Sequence, residues 1–330
     1  MRILRTVPTA SDTPIALTIG NFDGVHLGHQ SMLARLRETA RSRSLPACAM
    51  TFEPHPREFF APDKAPARLT SLREKLELLA AHGMERTYVC RFDYRFAQIA
   101  AEDFIERTLV RGLGVRHVLV GDDFRFGARR AGDIVLLRQH ATRLGYTVDA
   151  MSSVLLEGVR VSSTAVREAL QAGDLPRAGH LLGRPYSISG RVVRGDGLGR
   201  QLGFPTANIR VHHNLPPLMG IFAVEVSGVT EVAGVADVAG MAGAPVRGVA
   251  SLGVRPTVKH SAQPVLEVYL LDFSGDVYGR HVRVDFLHKF RDEEKFADLA
   301  ALTQQIARDV EDARRYFETR DAAPTRKQAG

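Results

Sequence analysis

Ten consecutive residues, Gly20-Asn21-Phe22-Asp23-Gly24-Val25-His26-Leu27-Gly28-His29, constrain this chain more than any other stretch. An apolar run at 15–19 leads into them as a buried strand would, and residues 30–43 leave them with Met32, Leu33 and Leu36 at helical spacing. The spacing predicts a strand, a glycine-rich turn and a helix. Such a turn aims free backbone N–H groups and the positive end of the helix at whatever lies above the strand, an arrangement that favours phosphate. His26 and His29 fall three apart on one helical face, with Gly28 between them leaving room for close approach to the backbone. An ordinary surface pair, or two ligands of a metal, are the competing readings. A metal needs further ligands at recognisable spacing, and no His/Cys cluster lies near either residue. Polyphosphate binding is therefore the expectation.

Beyond this stretch, strand-like and helix-like segments alternate: strands at 47–52, 87–92, 117–121 and 146–151, helices at 71–82, 102–111 and 134–144. This rhythm implies a doubly wound parallel sheet with its ligands at the carboxyl ends of the strands. Two candidate segments end such strands. Thr51-Phe52-Glu53-Pro54-His55-Pro56 makes a stiff turn presenting His55, and Gly121-Asp122-Asp123-Phe124 places Asp123 beyond another strand. Neither identifies a function by itself. Ser162-Ser163-Thr164 opens a further helix, where N-capping accounts for the serines. Capping does not account for Arg167 one turn on, whose planar fork suits bidentate contact with a phosphate held at the helix start.

His-x-Gly-His after a first strand resembles the signature of the nucleotidyltransferase superfamily, and the longer run through Gly20 and His29 resembles the adenylyltransferase half of bifunctional bacterial riboflavin kinase/FAD synthetases. The resemblance implies a Rossmann-like domain that binds ATP through Gly20, Asn21, Phe22 and Gly28, with catalytic His26 and His29. Val161–Arg167 is similar to the second superfamily motif, which implies triphosphate contacts from Ser162, Ser163, Thr164 and Arg167. His55 and Asp123 match flavin-side or other site positions, Asp123 standing where the family often has Asn.

The rhythm changes after Gly183-Arg184-Pro185, the expected boundary between domains at 1–183 and 184–330. Strand-like runs at 186–194, 221–226, 246–252, 266–272 and 281–290 follow without intervening amphipathic helices, which predicts a small antiparallel barrel. A closing helix is expected from about 293 to 319, a hairpin insertion at 228–245, and a frayed tail at 320–330.

The informative run of this half is Gly195 to Asn208. It fits neither a Walker loop, since no Gly-Lys dipeptide occurs, nor a dinucleotide fingerprint. Within it, Thr206 and Asn208 set a hydroxyl and an amide oxygen two apart on one face of a β-like segment, hard donors suited to Mg2+ bridging nucleotide phosphates. Gly-x-x-x-Gly followed by Gly203-Phe204-Pro205-Thr206-Ala207-Asn208 resembles the riboflavin kinase module, and the match continues through 253–257, 266–273 and 277–279. The resemblance implies nucleotide contacts at Gly199 and Gly203, metal ligation by Thr206 and Asn208, and Glu267 as the base. Alternation between Leu266 and Val268 alone permits an ordinary outward-facing residue equally well. Ser251-Leu252 departs from the Asn-Ile common in the family, and the 228–245 insertion is long.

Together the two resemblances imply an enzyme that converts riboflavin to FMN and FMN to FAD with ATP and magnesium. The open alternatives are a nucleotidyltransferase with another phosphate acceptor and a basic nucleic-acid-binding protein or flavin sensor. The net charge of +7 permits the latter, but the arginines are dispersed and no nucleic-acid-binding motif accompanies them, so ATP, riboflavin and FMN are the expected partners. No apolar run spans a bilayer, and no signal-peptide core begins the chain. Cys48 and Cys90 sit in apolar runs as expected of inert buried thiols, pointing to a reducing, cytoplasmic setting and a monomer or weak oligomer.

Overall fold

The computed structural model describes residues 1–195, 197–211, 215–229, 243–255 and 263–322. These form two compact units, Met1–Ala165 and Val166–Gly330, whose division falls within one helix.

In chain order the first unit contains β1 (Arg2–Leu4), β2 (Ile15–Ile19), α1 (Leu27–Ser42), β3 (Ala47–Glu53), α2 (Pro56–Phe60), α3 (Leu72–Ala81), β4 (Arg86–Arg91), α4 (Tyr94–Ala97), α5 (Ala101–Asp103), β5 (Val115–Gly121), α6 (Ile134–Leu144), β6 (Thr147–Met151), the small hairpin β7 (Leu155–Leu156) and β8 (Val159–Arg160), and the start of α7 (Ser163–Gln171). Six strands form one sheet in the order β1-β4-β3-β2-β5-β6, with every pairing parallel. A parallel sheet covered on both faces buries its central strands completely, and all five residues of β2 are buried. Its side chains divide by alternation. Ile15, Leu17 and Ile19 join the cluster with Cys48, Met50, Val118 and Ile105, while Ala16 packs with Ala47, Ala49, Leu33 and Leu36 on the α1 side. Alanines on that face let α1 lie close to the sheet. Both thiols are buried and free, and burial pushes each up to about 12, as expected of inert cysteines.

Two details differ from the sequence expectation. β1 adds an edge strand on β4 from three residues without a strand signal of their own. The helix expected at 102–111 is a short α5 continued by a π-helical turn over Phe104–Gly112, in which the Leu113 N–H donates to the Thr108 carbonyl at 3.0 Å.

The second unit contains α8 (Leu175–Leu182), β9 (Tyr186–Val193), α9 (Leu198–Gln201), β10 (Thr206–Ile209), β11 (Gly220–Ser227), β12 (Val246–Arg255), β13 (Gln263–Leu270), β14 (His281–Arg291) and α10 (Leu299–Ala322). Its strands close into an antiparallel barrel in the order β10-β13-β12-β11-β14-β9. Alternation again sorts the side chains: Val282, Val284 and Phe286 of β14 are buried with intervening residues more exposed. On the outer face, Ile221, Ala223, Val249 and Leu271 pack under Ala313 and Phe317 of α10.

α10 begins at Leu299, not near 293. Asp298 caps it, its carboxylate accepting the Ala301 N–H at 2.8 Å, while Glu293 turns back to accept from the Ser251 hydroxyl at 3.0 Å. Most of the expected hairpin at 228–245, and the tail from 323, lie outside the described residues.

Two candidate nucleotide sites

In the first unit, β2 and β5 are neighbours whose following connections diverge, β2 through α1 to β3 and β5 through α6 to β6. The crevice above that point is where an open α/β sheet binds ligands. The loop after β2 is held there by force of packing. Phe22 (φ 49°) and Val25 (φ 40°) adopt left-handed backbone that non-glycine residues avoid, at a cost of about 1–3 kcal/mol each, and both are wholly buried. The buried Asp23 carboxylate accepts the N–H groups of Leu69 (3.0 Å) and Thr70 (3.1 Å) and the Thr70 hydroxyl (3.2 Å). That hydroxyl in turn accepts the Gly24 N–H at 3.1 Å, and the Ser163 hydroxyl donates to the Asp23 carbonyl at 2.9 Å. A loop clamped from 46 and 140 residues away presents its backbone in one shape.

His26 caps α1, its Nδ1 accepting the His29 N–H at 3.3 Å. In a neutral ring that acceptor role leaves the hydrogen on Nε2. The His26 and His29 rings stack with centroids 3.7 Å apart, and Phe22 meets His29 edge-on at 5.2 Å. A methyl on Gly28 would sit 3.2 Å from the His26 ring, so glycine keeps the pair in register. His29 Nδ1 is buried without a hydrogen-bond partner, and burial, followed by the charges of His26 and Lys75, holds this imidazole well below its usual value near 6.5. It is neutral at physiological pH.

In the second unit, strand register assembles the site. Asn208 of β10 pairs with Glu267 of β13, Glu267 with Ser251 of β12, and Ser251 with Ile221 of β11. Two residues along each strand, Thr206, Tyr269 and Val249 make a parallel row. Side chains two apart share a face, and both rows line a cavity of about 910 Å³ on the outer side of the barrel, beneath α10. The cavity is polar at Thr206, Asn208 and Glu267, beside Gly195 and Gly197. It is apolar at Ile221, Val249, Leu302, Ile306 and Val310. One wall is braced by Arg291, which makes two bonds to the buried Asp309 carboxylate (2.7 and 2.9 Å), with Gln305 donating to it at 3.0 Å.

The FAD synthetase family model matches residues 9–165, and the riboflavin kinase model matches residues 182–317. The bifunctional riboflavin kinase/FMN adenylyltransferase of Escherichia coli K12 is 48% identical over 96% of this chain and 98% of its own. This chain belongs to the bifunctional riboflavin kinase/FMN adenylyltransferase family. The Haemophilus influenzae protein of the same description is 46% identical over 92% of this chain and 94% of its own. A crystal structure described as a macrolide-efflux protein from Streptococcus pneumoniae superposes with a TM-score of 0.77 at 27% identity, covering 95% of this chain and 99% of that one.

With the riboflavin kinase/FMN adenylyltransferase family in view, the sequence-predicted residues take these places. Gly20, Asn21, Phe22, His26, Gly28 and His29 share the loop and first turn above β2. Ser162 accepts the Ala165 N–H at 3.2 Å as the cap of α7, Ser163 reaches the same loop, and Thr164 is exposed. Arg167 is half-buried on α7, beyond the division between units. His55 caps α2, its Nδ1 accepting the Arg57 N–H at 3.1 Å, so that nitrogen is turned to the backbone. Asp123 is exposed and pairs with Arg160 at 2.6 Å. Gly199 lies in α9, where a methyl would come 3.0 Å from the Thr206 hydroxyl, and Gly203 has φ 85°. Thr206, Asn208 and Glu267 converge on one cavity.

Sequence reasoning did not single out Asp23, Thr70, Lys75, the Arg68 pairs with Glu53 and Glu58, Tyr269, or Arg291 with Asp309. Ser71 and Glu74 form a capping box visible in the sequence, but that signal announces only a helix start.

Proposed function

We infer that this chain makes FAD in two steps, phosphorylating riboflavin with ATP to FMN and adenylylating FMN with a second ATP to FAD and pyrophosphate. The observation that carries the inference is that one chain matches a FAD synthetase model and a riboflavin kinase model over separate residues.

In the kinase step the nucleophile is a neutral ribityl hydroxyl. Glu267 accepts its proton as the oxygen attacks the γ-phosphorus and the bond to the bridging oxygen breaks to release ADP, an assistance worth roughly 10²–10⁴-fold. Thr206 and Asn208 are the proposed magnesium ligands. Their donors are hard oxygens of the kind that would hold magnesium, which would supply positive charge to offset that of the nucleotide phosphates. The apolar wall from Ile221 to Val310 supports burial of the flavin ring system.

In the adenylyl step the FMN phosphate is already anionic, so no general base is required. It attacks the α-phosphate of ATP and pyrophosphate leaves. His26, His29, the amides of the Gly20–Gly28 turn, Ser162, Ser163, Thr164 and Arg167 are the proposed donors to the phosphates, with His55 and Asp123 on the flavin side. We place the division of activities at 1–183 and 184–330. We place the enzyme in the cytoplasm as a monomer or weak oligomer, consistent with its two unpaired buried thiols. No helix among the described residues is long and apolar enough to cross a membrane.

The deciding experiment uses the full chain with riboflavin, ATP and magnesium. FMN and then FAD are expected. His29→Ala removes FAD formation and spares FMN formation, and Glu267→Ala removes FMN formation while FAD still forms from supplied FMN. Loss of both activities in either folded variant would refute the two-site assignment.

A further inference from the structure

Lys75 lies in the first turn of α3, only 3% exposed, because Leu76 and Leu79 on the same helix bury against the first unit's interior. Its ammonium makes no hydrogen bond or ion pair among the described residues. The anions around it are Asp23, Glu53 and Glu58, and each is already engaged. Asp23 accepts from Leu69 and Thr70. Arg68 binds Glu53 through two bonds (2.7 and 3.1 Å) and also binds Glu58, which further accepts the His55 N–H at 3.2 Å. A largely buried lysine whose ammonium has no hydrogen-bonded partner among the described residues is placed to take an anion that arrives from outside.

A second group points the same way. His29 Nδ1, on the first turn of α1, is also buried and unpartnered, and Lys75 is near enough to depress the proton affinity of that ring. The bonds from Leu69 and Thr70 to Asp23, and from Gly24 to Thr70, tie the start of α3 to the loop that opens α1, so the two groups sit on the first turns of helices joined at one loop.

We propose that Lys75 is a phosphate-binding residue of the adenylyl-transfer site, its ammonium and His29 together holding a phosphate of FMN or of the ATP tail. The proposal rests on the two-step reading above. Against it stands a structural role, in which Lys75 only offsets the three carboxylates around it.

The test uses the full chain with Lys75→Met and Lys75→Arg, assayed for FAD formation from supplied FMN and for FMN formation from riboflavin. Losing one charge-assisted contact should lower kcat/KM for FAD formation by about 10- to 100-fold in Lys75→Met, with part of it restored in Lys75→Arg and the kinase rate unchanged. A raised KM for FMN alone assigns the acceptor phosphate, and a raised KM for ATP alone assigns the triphosphate. Millimolar inorganic pyrophosphate should raise the melting temperature of the unsubstituted protein and not that of Lys75→Met. FAD formation within twofold of normal in Lys75→Met overturns the proposal, as does a Lys75→Met that is destabilised while its pyrophosphate response persists. Should Lys75→Met fail to fold, Lys75→Arg with unchanged KM for both FMN and ATP overturns it equally. If the unsubstituted chain made FMN but no FAD, the two-step reading would fail first, and that outcome is separately visible.

Discussion

Asn208 and Glu267 are direct cross-strand partners on β10 and β13, so the proposed metal ligand and the proposed base are held side by side by backbone register alone. Gly195 lies against the Asn208 amide closely enough that an added methyl would overlap it. Gly195→Ala is therefore expected to displace the amide, raising the magnesium concentration needed for half-maximal FMN formation by about tenfold, a loss on the scale of one hydrogen bond. FAD formation from supplied FMN should be untouched. A magnesium titration of both activities checks this.

Asp309 is nearly buried on α10 and takes both a Nε and a Nη bond from Arg291 of β14. Arg291 is partly exposed and also meets Glu294 at 3.2 Å, so losing Asp309 removes a charge-assisted pair without stranding the guanidinium, at a cost of about 1–3 kcal/mol. Asp309→Ala should lower the unfolding free energy of the second unit by that order, read as a lower urea midpoint at unchanged slope, and should weaken riboflavin binding, because the same helix carries Leu302, Ile306 and Val310 into the cavity wall. Denaturation followed by a riboflavin KM measurement separates the two effects.

His117 is fully buried in β5, its Nδ1 beside the Thr147 hydroxyl at 2.9 Å and its Nε2 without a partner. Burial, reinforced by Arg43, lowers its proton affinity below the usual value of 6.5, so below that pH the unfolded chain holds more protons than the folded one. Stability should be level above about pH 7 and fall as pH drops through 6.5 toward the folded value, by at most about 1.4 kcal/mol per pH unit for this residue. His29 contributes with the same sign. His117→Phe should flatten the acid-side slope by about one proton, as read from melting temperatures between pH 5 and 8.

Leu175, Ala178, Leu181 and Leu182 are the buried face of α8, which packs on β9 and β14 of the barrel. A fragment beginning at 173 should be more stable than one beginning at 184, by an amount bounded above by about 1.5–3 kcal/mol for each buried leucine. Both should phosphorylate riboflavin if the kinase activity lies wholly after 183. Urea unfolding of the two fragments, with an FMN assay on each, distinguishes stability from activity.

Much of the architecture was legible because its signals are local. The helix at 134–144 occupies the residues that periodicity assigns it, and strand alternation marked all the longer barrel strands. The short β1 escaped because a three-residue edge strand has too little pattern to read. The start of α10 falls about six residues later than expected because Phe296 continues the helical apolar pattern, yet its ring lies against the Arg291 guanidinium while Glu293 turns back to Ser251.

By itself the sequence determined the two classes of fold and the two motif runs, His26 with His29 and Thr206 with Asn208, since each depends on neighbours a few residues apart. Tertiary structure alone decided which distant groups join them. Thr70 clamps the loop at Asp23, the start of α3 is thereby tied to the loop that opens α1, and Glu267 and Ser251 fall in line with Asn208. Those meetings are set by strand order, register and helix packing, which bring together residues about 40 to 60 apart in the chain, and no local pattern encodes that distance.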